Sequence, residues 1–365
     1  MNKNKIIFTG CLLLSLIACS APPKSYELNG LWIKESDGTT MLDPQTSGLV
    51  KIGDKLYSLS DASADKSQIK RLHVIDPVSG NIINKSDGMA FDERIRQSCF
   101  YDYLAGEPDY EALVPDPFIE NSWIWVTEDA SRSKQMTTAC QDKYGDTGST
   151  VYPTLLVRLT LENNSLRVTG VRPVRYNEEE NVADHPNDGI EGLAITKDKT
   201  LLLGLEKDGN GNARVFSVPL DVDFFSTLAF VTAKDAGLRM PTFEKGNHPI
   251  NGMDIVYRED GRGYLVAAAR NDNQLWIIDL QKEKDTVIVQ LQFLAPSQTS
   301  DKCEPFHLMN NSSIEGIAVD DEAIYMVNDP WKANYHKNIV CDEDKVLYQR
   351  YSPLLFKLPL NDGWF

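Results

Sequence analysis

An all-β fold made of repeated units is the class that the sequence predicts, on two observations. First, a polar residue, a glycine and an apolar residue recur in that order, each time at the start of a short run with strand character. Second, β-branched and aromatic residues alternate between Gly, Asp and Asn turns, and no long helical period competes with them. The repeats begin at Ser47, Glu191, Asn251 and Glu315, with a degenerate copy at Glu111. Internal repeats decide architecture, so they are our main guide to the fold.

The strands within each repeat follow in a constant order. A second apolar run, which stops at a polar residue, spans 55–61, 122–128, 200–206, 263–270 and 323–329. A third run spans 71–76, 154–161, 214–220, 274–280 and 354–360, and fourth-strand candidates lie at 165–174 and 286–293. Four strands per repeat around an axis form a β-propeller, so the five copies predict five four-stranded blades.

Two segments bear on the blade count. The last repeat lacks a clear fourth strand, so we expect residues 26–33 to close the ring as the outer strand of the last blade. A six-bladed ring is the alternative if the acidic stretch 92–109 contains strands, but we interpret that stretch as an insertion. The blade cores are expected to contain four tryptophans, Trp123, Trp125, Trp276 and Trp331.

The composition excludes several classes of protein. Of 365 residues, 42% are hydrophobic and 25% are charged, which is ample for a buried core and excludes a disordered chain. Acidic residues number 53 against 37 basic ones, for a formal net charge of −16, without a run of basic residues. Nucleic acid is therefore not expected as a partner, since phosphate binding needs clustered Lys and Arg. The single long apolar segment, near the N-terminus, excludes a multi-spanning membrane protein.

The N-terminus has the plan of a secretory signal. Lys3 and Lys5 precede the apolar stretch 6–17, which is too short to cross a bilayer as a helix. The stretch ends in Leu-Ile-Ala-Cys, which resembles the lipobox of bacterial lipoproteins, so Cys19 would carry acyl chains that anchor the protein. Cleavage after Ala18 without lipidation is the alternative.

The chain is thus divided into a signal peptide at 1–18, a lipid-anchored tether at 19–25 and a single propeller domain at 26–365. By resemblance to bacterial lipoproteins, Ser20 instead of Asp after the cysteine favours the outer membrane. We expect the protein to face the periplasm, to contact the membrane through its lipid anchor alone and to be a monomer.

Four further cysteines remain in the expected mature chain, Cys99, Cys140, Cys303 and Cys341. An even count in an exported protein indicates two disulfides, for which three pairings exist. We favour Cys99 with Cys140 and Cys303 with Cys341, because each bond would brace one local insertion. Four buried thiols are the alternative. Metal binding is disfavoured, since no two of these cysteines lie two to four residues apart.

The repeats also predict a site. The first two strands of a blade are antiparallel, so the start of the first and the end of the second lie on one face of the ring. The starts are Ser47, Glu111, Glu191, Asn251 and Glu315, and the ends are Asp61, Glu128, Glu206, Arg270 and Asp329. Seven acids and one arginine give this rim a formal charge of −6. Such acids repel one another and raise their pKa values unless a cation intervenes.

Oxygen ligands from several blades suit Ca²⁺, which takes six to eight oxygens. The predicted ligands are Glu111, Glu191, Asn251 and Glu315, and the acids expected to support them are Asp61, Glu128, Glu206 and Asp329. The alternative is that these polar groups tie backbone atoms across the funnel, with water between them.

Histidines in loops that lead to this face are candidates for acid–base chemistry near neutral pH. His185 and His248 are the predicted proton carriers, and His307 lies in a third such loop. Hydrogen bonding to backbone is the alternative for each. Arg270 is the single cation of the rim series and is a candidate to bind a phosphate or carboxylate, or to pair with a neighbouring acid.

Four pieces of the chain carry a family resemblance. Residues 46–63, 109–129, 187–209 (NDGIEGLAITKDKTLLLGLEKDG) and 313–329 (SIEGIAVDDEAIYMVND) resemble the esterase-like phytase, or phytase-like, β-propellers of exported bacterial proteins. The Glu-Gly start is similar to that of gluconolactonase-type propellers, where a central Glu and Asn ligate a divalent cation, which implies such roles for Glu191 and Asn251. Ala112 departs from the pattern, and one arginine in the rim is too few for phytate, a highly anionic substrate.

The resemblance implies a Ca²⁺-dependent hydrolase of a small-molecule ester or phosphoester, with its site at the central funnel. A non-catalytic propeller that binds a protein, peptide or glycan on the same face is the competing interpretation. Fold alone does not decide between them.

Overall fold

The computed structural model describes residues 25–128, 135–182, 184–185, 188–298 and 302–365. The predicted signal peptide and the lipidation site Cys19 lie outside these residues, as does most of the tether. Within the described ranges, no helix has the length and apolar character to cross a bilayer.

Strands account for most of the described structure. In chain order they are β1 (Ser25–Asn29), β2 (Leu31–Trp32), β3 (Thr46–Ile52), β4 (Lys55–Ser60), β5 (His73–Ile75), β6 (Ile82–Lys85), β7 (Met89–Phe91), β8 (Tyr110–Pro115), β9 (Ser122–Thr127), β10 (Leu155–Glu162), β11 (Ser165–Arg175), β12 (Ile190–Ile195), β13 (Thr200–Leu205), β14 (Arg214–Pro219), β15 (Val231–Thr232), β16 (Lys234–Asp235), β17 (Gly252–Tyr257), β18 (Gly263–Ala269), β19 (Gln274–Asp279), β20 (Val287–Pro296), β21 (Phe306–Met309), β22 (Ile314–Val319), β23 (Ala323–Asn328) and β24 (Leu354–Pro359). The short α-helices are α1 (Glu93–Arg96), α2 (Tyr101–Ala105), α3 (Thr138–Tyr144) and α4 (Lys345–Gln349).

These strands form five blades, which confirms the predicted all-β propeller. From the axis outwards, blade 1 is β3-β4-β5-β6, blade 2 is β8-β9-β10-β11, blade 3 is β12-β13-β14-β16, blade 4 is β17-β18-β19-β20, and blade 5 is β22-β23-β24-β2. Neighbouring strands within these series are antiparallel. Blade 2 also carries β7 and β15 beside β11, and β21 extends blade 4.

The inner strands close a ring, and this closure explains the glycine of the repeat. Strands β3, β8, β12, β17 and β22 contact one another in that order, and β22 returns to β3. A Cβ at Gly48 would lie 2.9 Å from the Cα of Ala112, and a Cβ at Gly316 would lie 3.0 Å from the carbonyl carbon of Gly48. A side chain cannot fit where backbones approach so closely, so these positions require glycine.

The N-terminal segment is shared between two blades, which partly corrects the prediction for 26–33. Strand β2 pairs antiparallel with β24 and completes blade 5 as expected. Strand β1, however, pairs in parallel with β20 and adds a strand to blade 4. The chain crosses between the blades at Gly30, where a Cβ would lie 2.8 Å from the Phe356 ring.

The acidic stretch 92–109 contains α1 and α2 and no strand, so the six-bladed alternative is wrong. Both favoured disulfide pairings are confirmed. The Cα atoms are 5.7 Å apart in Cys99–Cys140, which links this insertion to α3, and 6.0 Å apart in Cys303–Cys341.

The tryptophans divide into buried and exposed ones. Trp123, Trp125 and Trp276 lie in the apolar cores as expected. The same expectation for Trp331 is wrong, because its side chain is 52% exposed on the funnel side of blade 5.

Candidate functional site

A β-bulge at the start of the inner strand presents the glutamate in three blades. In blade 2, Tyr110 pairs with Thr127 and Ala112 with Val126, so Glu111 is the extra residue between them. Equivalent shifts leave Glu191 extra in blade 3 and Glu315 extra in blade 5. Blade 1 has a similar shift around Ser47. Bulges redirect a side chain out of the regular alternation, and here they fall where the strands enter the funnel.

A second recurring bond holds the end of the second strand beside each bulge. In four blades the backbone N–H of the strand-end acid donates to a carbonyl two residues before the bulge, at 2.7–3.1 Å. The pairs are Asp61 to Gln45, Glu128 to Asp109, Glu206 to Gly189 and Asp329 to Ser313. This bond brings the two predicted polar positions of a blade to the same rim.

Blade 4 departs from this geometry. It has no bulge, and the Asn251 N–H donates to the Ala268 carbonyl at 3.0 Å. Arg270 then begins a 3₁₀ turn over Arg270–Asp272 in place of the strand-end acid. The blade that departs from the Glu-Gly pattern is thus also the blade that supplies the arginine of the rim.

The rim residues from different blades lie close enough to titrate together. Burial raises the pKa of Glu191, and the carboxylates of Glu128, Glu206 and Glu315 raise it further against the opposing effect of Arg270. Burial likewise raises the pKa of Glu206, Glu315 and Asp329. The predicted convergence of these side chains on one funnel is therefore what the fold produces.

Arg270 is an ion-pair centre for one side of the funnel. Its guanidinium contacts the Glu315 carboxylate directly and lies 3.6 Å from that of Glu206. Burial would lower the pKa of Arg270, but the surrounding acids, chiefly Glu315, Glu191 and Glu206, outweigh burial and raise it. Of the two roles considered for Arg270, the geometry thus shows the pairing with neighbouring acids.

A denser group of carboxylates lies on the other side. Single carboxylate oxygens of Asp109, Glu111 and Glu128 all lie within 4.8 Å of one another. The pKa of Glu111 is raised by burial and by the acids Glu191, Asp109, Glu128 and Asp61. Burial, with Asp109 next, raises the pKa of Asp61 to about 7. In the described part of the chain, no basic group lies within ion-pair distance of Asp61, Asp109 or Glu111.

Asp109 was missed in the sequence because it closes the segment interpreted as an insertion. Its position offers the signal that would have found it: it stands two residues before Glu111, as Gly189 and Ser313 stand before their glutamates. Its backbone is fixed, since the Asp109 N–H donates to the Tyr103 hydroxyl at 3.0 Å, and that hydroxyl donates to the Glu128 carbonyl at 3.2 Å.

Two uncharged rim residues are buried without a polar partner among the described residues. Asn251 is 1% exposed, and neither its amide oxygen nor its amide nitrogen has a hydrogen bond. The Ser47 hydroxyl, also 1% exposed, is in the same condition. Buried polar atoms are normally satisfied, so an unfilled pair of oxygens beside acids fits a site for a ligand cation or water.

Two of the three loop histidines are held by hydrogen bonds of their own. Both ring nitrogens of His248 are engaged, with the Asp272 carboxylate and the Lys245 carbonyl, each at 2.9 Å, and the ring stacks on Phe243. Burial opposes protonation of His248, but these two bonds outweigh it and raise its pKa. His307 lies on β21 and contacts the Tyr348 hydroxyl at 2.5 Å. His248 is thus hydrogen-bonded at both ring nitrogens, and its role as a proton carrier stays a prediction.

His185 remains at the mouth of the funnel. Its side chain is 69% exposed, and its Nδ1 lies 3.5 Å from Asp188, which also accepts Lys207 at 2.9 Å. The positive charge of His185 lowers the pKa of Glu206, although burial of Glu206 raises it by more.

Fold and site together define a five-bladed β-propeller with an acidic central funnel whose charge is compensated by arginine on one side. No family model matches the chain, and no curated protein matches its sequence.

Several solved structures are similar to the chain at low identity and with low TM-scores. The PQQ-bound aldose sugar dehydrogenase from Streptomyces coelicolor has 10% identity and a TM-score of 0.40, over 88% of this chain and 95% of that one. An exo-β-1,3-galactanase from Clostridium thermocellum has 12% identity and a TM-score of 0.45, over 92% and 62%. Mala s 1, the major Malassezia sympodialis allergen, has 9% identity and a TM-score of 0.43, over 88% and 80%. Identities this low bear on the fold alone.

Proposed function

We propose that the funnel binds a divalent cation, with Ca²⁺ as the best match, and that the protein is a phytase-like hydrolase of a small ester or phosphoester. One observation carries the proposal: single carboxylate oxygens of Asp109, Glu111 and Glu128 lie within 4.8 Å of one another at the rim of the funnel. Oxygen-only ligands of high negative charge are the set that Ca²⁺ prefers.

The four predicted ligands are not equally well placed to hold the cation. Glu111 has the closest acid neighbours, and Glu191 is its nearest electrostatic neighbour on the adjacent inner strand. Glu315 is engaged with Arg270, so it would act from the far side of the funnel. Ser47 and Asn251 offer further uncharged oxygens. A bound cation would supply Lewis acidity and would lower the pKa of a water molecule.

The chain's own groups support two further steps. Arg270 holds Glu206 and Glu315 in place, which keeps the acids of two blades at fixed positions. His185, exposed at the mouth and next to Asp188, is the remaining histidine placed to move a proton.

We further propose that the protein acts in the cell envelope as an outer-membrane lipoprotein acylated at Cys19 and facing the periplasm. The two disulfides support an oxidising compartment. A non-catalytic binding propeller is the second candidate, and the engagement of both His248 ring nitrogens favours it, because proton transfer from His248 to a ligand would require one of these bonds to break.

Calorimetric titration of the purified protein with CaCl₂ tests the cation. We expect saturable binding that Glu111→Gln weakens at least about tenfold, since removal of one charged ligand costs more than about 1.4 kcal/mol. Glu259→Gln is the matched control, because Glu259 is exposed in the loop at the opposite end of blade 4. Absence of binding in the unaltered protein would remove the cation from the proposal.

Hydrolysis of aryl esters and aryl phosphates, with and without a chelator, tests catalysis separately. Turnover that a chelator abolishes and Ca²⁺ restores is expected. Cation binding without turnover of either substrate class would leave the binding propeller as the function.

A further inference from the structure

A second concave surface lies beside the funnel, between blades 4 and 5. It encloses about 360 Å³, within the roughly 300–1,000 Å³ of small-molecule sites. Its lining includes Asn247, Arg270, Asn271, Asn310, Trp331 and Asn334. Arg270 belongs to this cleft and to the funnel, so the two spaces adjoin.

Trp331 is an exposed aromatic on a fixed backbone. The backbone N–H of Trp331 donates to the Asp329 carbonyl at 2.8 Å. The Trp331 carbonyl accepts the backbone N–H groups of Asn334 at 3.0 Å and Tyr335 at 2.9 Å. The turn is therefore rigid although the indole is 52% exposed. A large aromatic side chain held in water at the edge of a cleft is typical of a binding surface.

The polar lining consists of amides and hydroxyls, and hydrogen bonds fix several of these residues. The Asn271 amide donates to the Asn247 carbonyl at 3.0 Å, and the Ser312 hydroxyl donates to the Asn273 amide oxygen at 2.8 Å. Asn338 similarly clamps the backbone of Asn311. An amide side chain offers a donor and an acceptor side by side, which matches neighbouring hydroxyl groups of a ligand.

The charges of the cleft exclude an anionic ligand. Among the described residues, Arg270 is the sole basic residue of the lining, and its guanidinium is already engaged with Glu315 and Glu206. The described lining contains no acidic residue, so it offers a cationic ligand no partner within the cleft itself. The remaining chemistry is that of a neutral polyhydroxylated ligand with one apolar face.

We propose that this cleft binds a neutral saccharide, whose hydroxyls meet the asparagine amides and whose C–H face stacks on Trp331. The inference rests on the proposed function in one respect, since it takes the funnel face as the face that meets ligands. It names the class of ligand for the cleft that adjoins the funnel. It places the sugar beside the acids and needs no cation of its own.

The test is calorimetric titration of the purified protein with maltotetraose, cellotetraose, chitotetraose and galactotetraose, in chelator. We expect saturable binding of at least one of them below about 10 mM, the weak end of specific recognition. Trp331→Ala should weaken it about tenfold or more, because the substitution removes the ring surface on which the sugar would stack. Trp331→Phe should retain most of the affinity. Phe306→Ala is the control, because Phe306 is 41% exposed on β21, outside the cleft.

Failure of all four saccharides would overturn the proposal, as would binding that Trp331→Ala leaves unchanged. Inositol hexakisphosphate serves as the anionic probe, and its binding in place of the saccharides would contradict the charge argument. Saccharide binding in chelator, combined with no Ca²⁺ binding, would keep this inference and remove the cation. Ca²⁺ binding without saccharide binding would keep the proposed cation site and overturn the saccharide inference.

Discussion

The two sides of the funnel are built from the same repeat and differ in how their charge is compensated. On one side, Arg270 lies among Glu191, Glu206 and Glu315. On the other, Asp109 and Glu111 adjoin further acids, and the described residues provide no ion-pair partner for either. A single exception to the repeat, in blade 4, therefore places an arginine on one side of the funnel, where it offsets part of the charge of the surrounding acids.

This difference teaches that departures from a repeat say more about where the functional site is specialised than the repeat itself does. Bulged glutamates in three blades are a consequence of ring geometry, whereas Arg270 and Asn251 mark where the ring is specialised. The sharpest tests therefore change blade 4 and its counterparts on the opposite side.

Arg270→Met should give the largest effect. It leaves several buried carboxylates without their cation, and breaking such pairs costs about 3–5 kcal/mol, reduced somewhat here because the arginine is a quarter exposed. The loss in free energy of unfolding should be largest near pH 8 and should shrink near pH 5, where the acids take up protons. Denaturant unfolding at both pH values measures it.

Arg239→Met is the control for that experiment, since Arg239 pairs with Asp285 at an exposed site and such pairs contribute little. An equal loss at both pH values would show that packing of the arginine stem, and not its charge, stabilises the funnel.

The opposite side should make the whole protein less stable as pH rises. Because the folded pKa of Asp61 is about 7 against an ordinary 3.8, the folded state holds a proton that the unfolded state has released. Stability should therefore be highest near pH 4 and fall by about 3 kcal/mol as pH rises to about 7, since one pKa unit corresponds to about 1.4 kcal/mol. Thermal unfolding in chelator measures this slope, which Asp61→Asn should reduce and the exposed-site Asp260→Asn should not. Added Ca²⁺ should flatten the slope at the upper end.

Glutamine substitutions of the bulged glutamates should have small effects of opposite sign. In chelator near pH 8, Glu111→Gln should raise stability by about 1 kcal/mol because it relieves repulsion among acids. Glu315→Gln should lower stability by about the same amount, since it removes the direct partner of Arg270. Paired melting curves decide the matter, and effects of the same sign in both variants would show that the two sides are equivalent.

The sequence predicted the features that follow from the repeat. Five blades, most strand positions and the convergence of rim residues follow from strand periodicity and from the shared face of adjacent strand ends. Both disulfides follow from the even number of cysteines and from their places in two local insertions. The glycine of the repeat was visible too, but its cause, the approach of one inner strand to the next, requires the closed ring.

Features set by loops could not be predicted in this way. Asp109 lies in a segment without periodicity, and its role depends on a backbone bond to Glu128. His248 is fixed by Asp272 and Phe243, neither of which neighbours it in sequence. Trp331 is of a residue type that usually lies in blade cores, and only the turn after β23 places it in solvent.

The division of the N-terminal segment between blades 4 and 5 has a consequence for the order of folding. Strand β2 is synthesised early, yet its partner β24 emerges near the end of the chain, and Leu31 pairs with Leu355. Blades 1 to 3 can pair from local contacts, whereas closure must wait for contacts across nearly the whole chain, which form slowly. The outer edges of β20 and β24 are covered by β1 and β2, so the last blades depend on two strands from the start of the propeller to cap them.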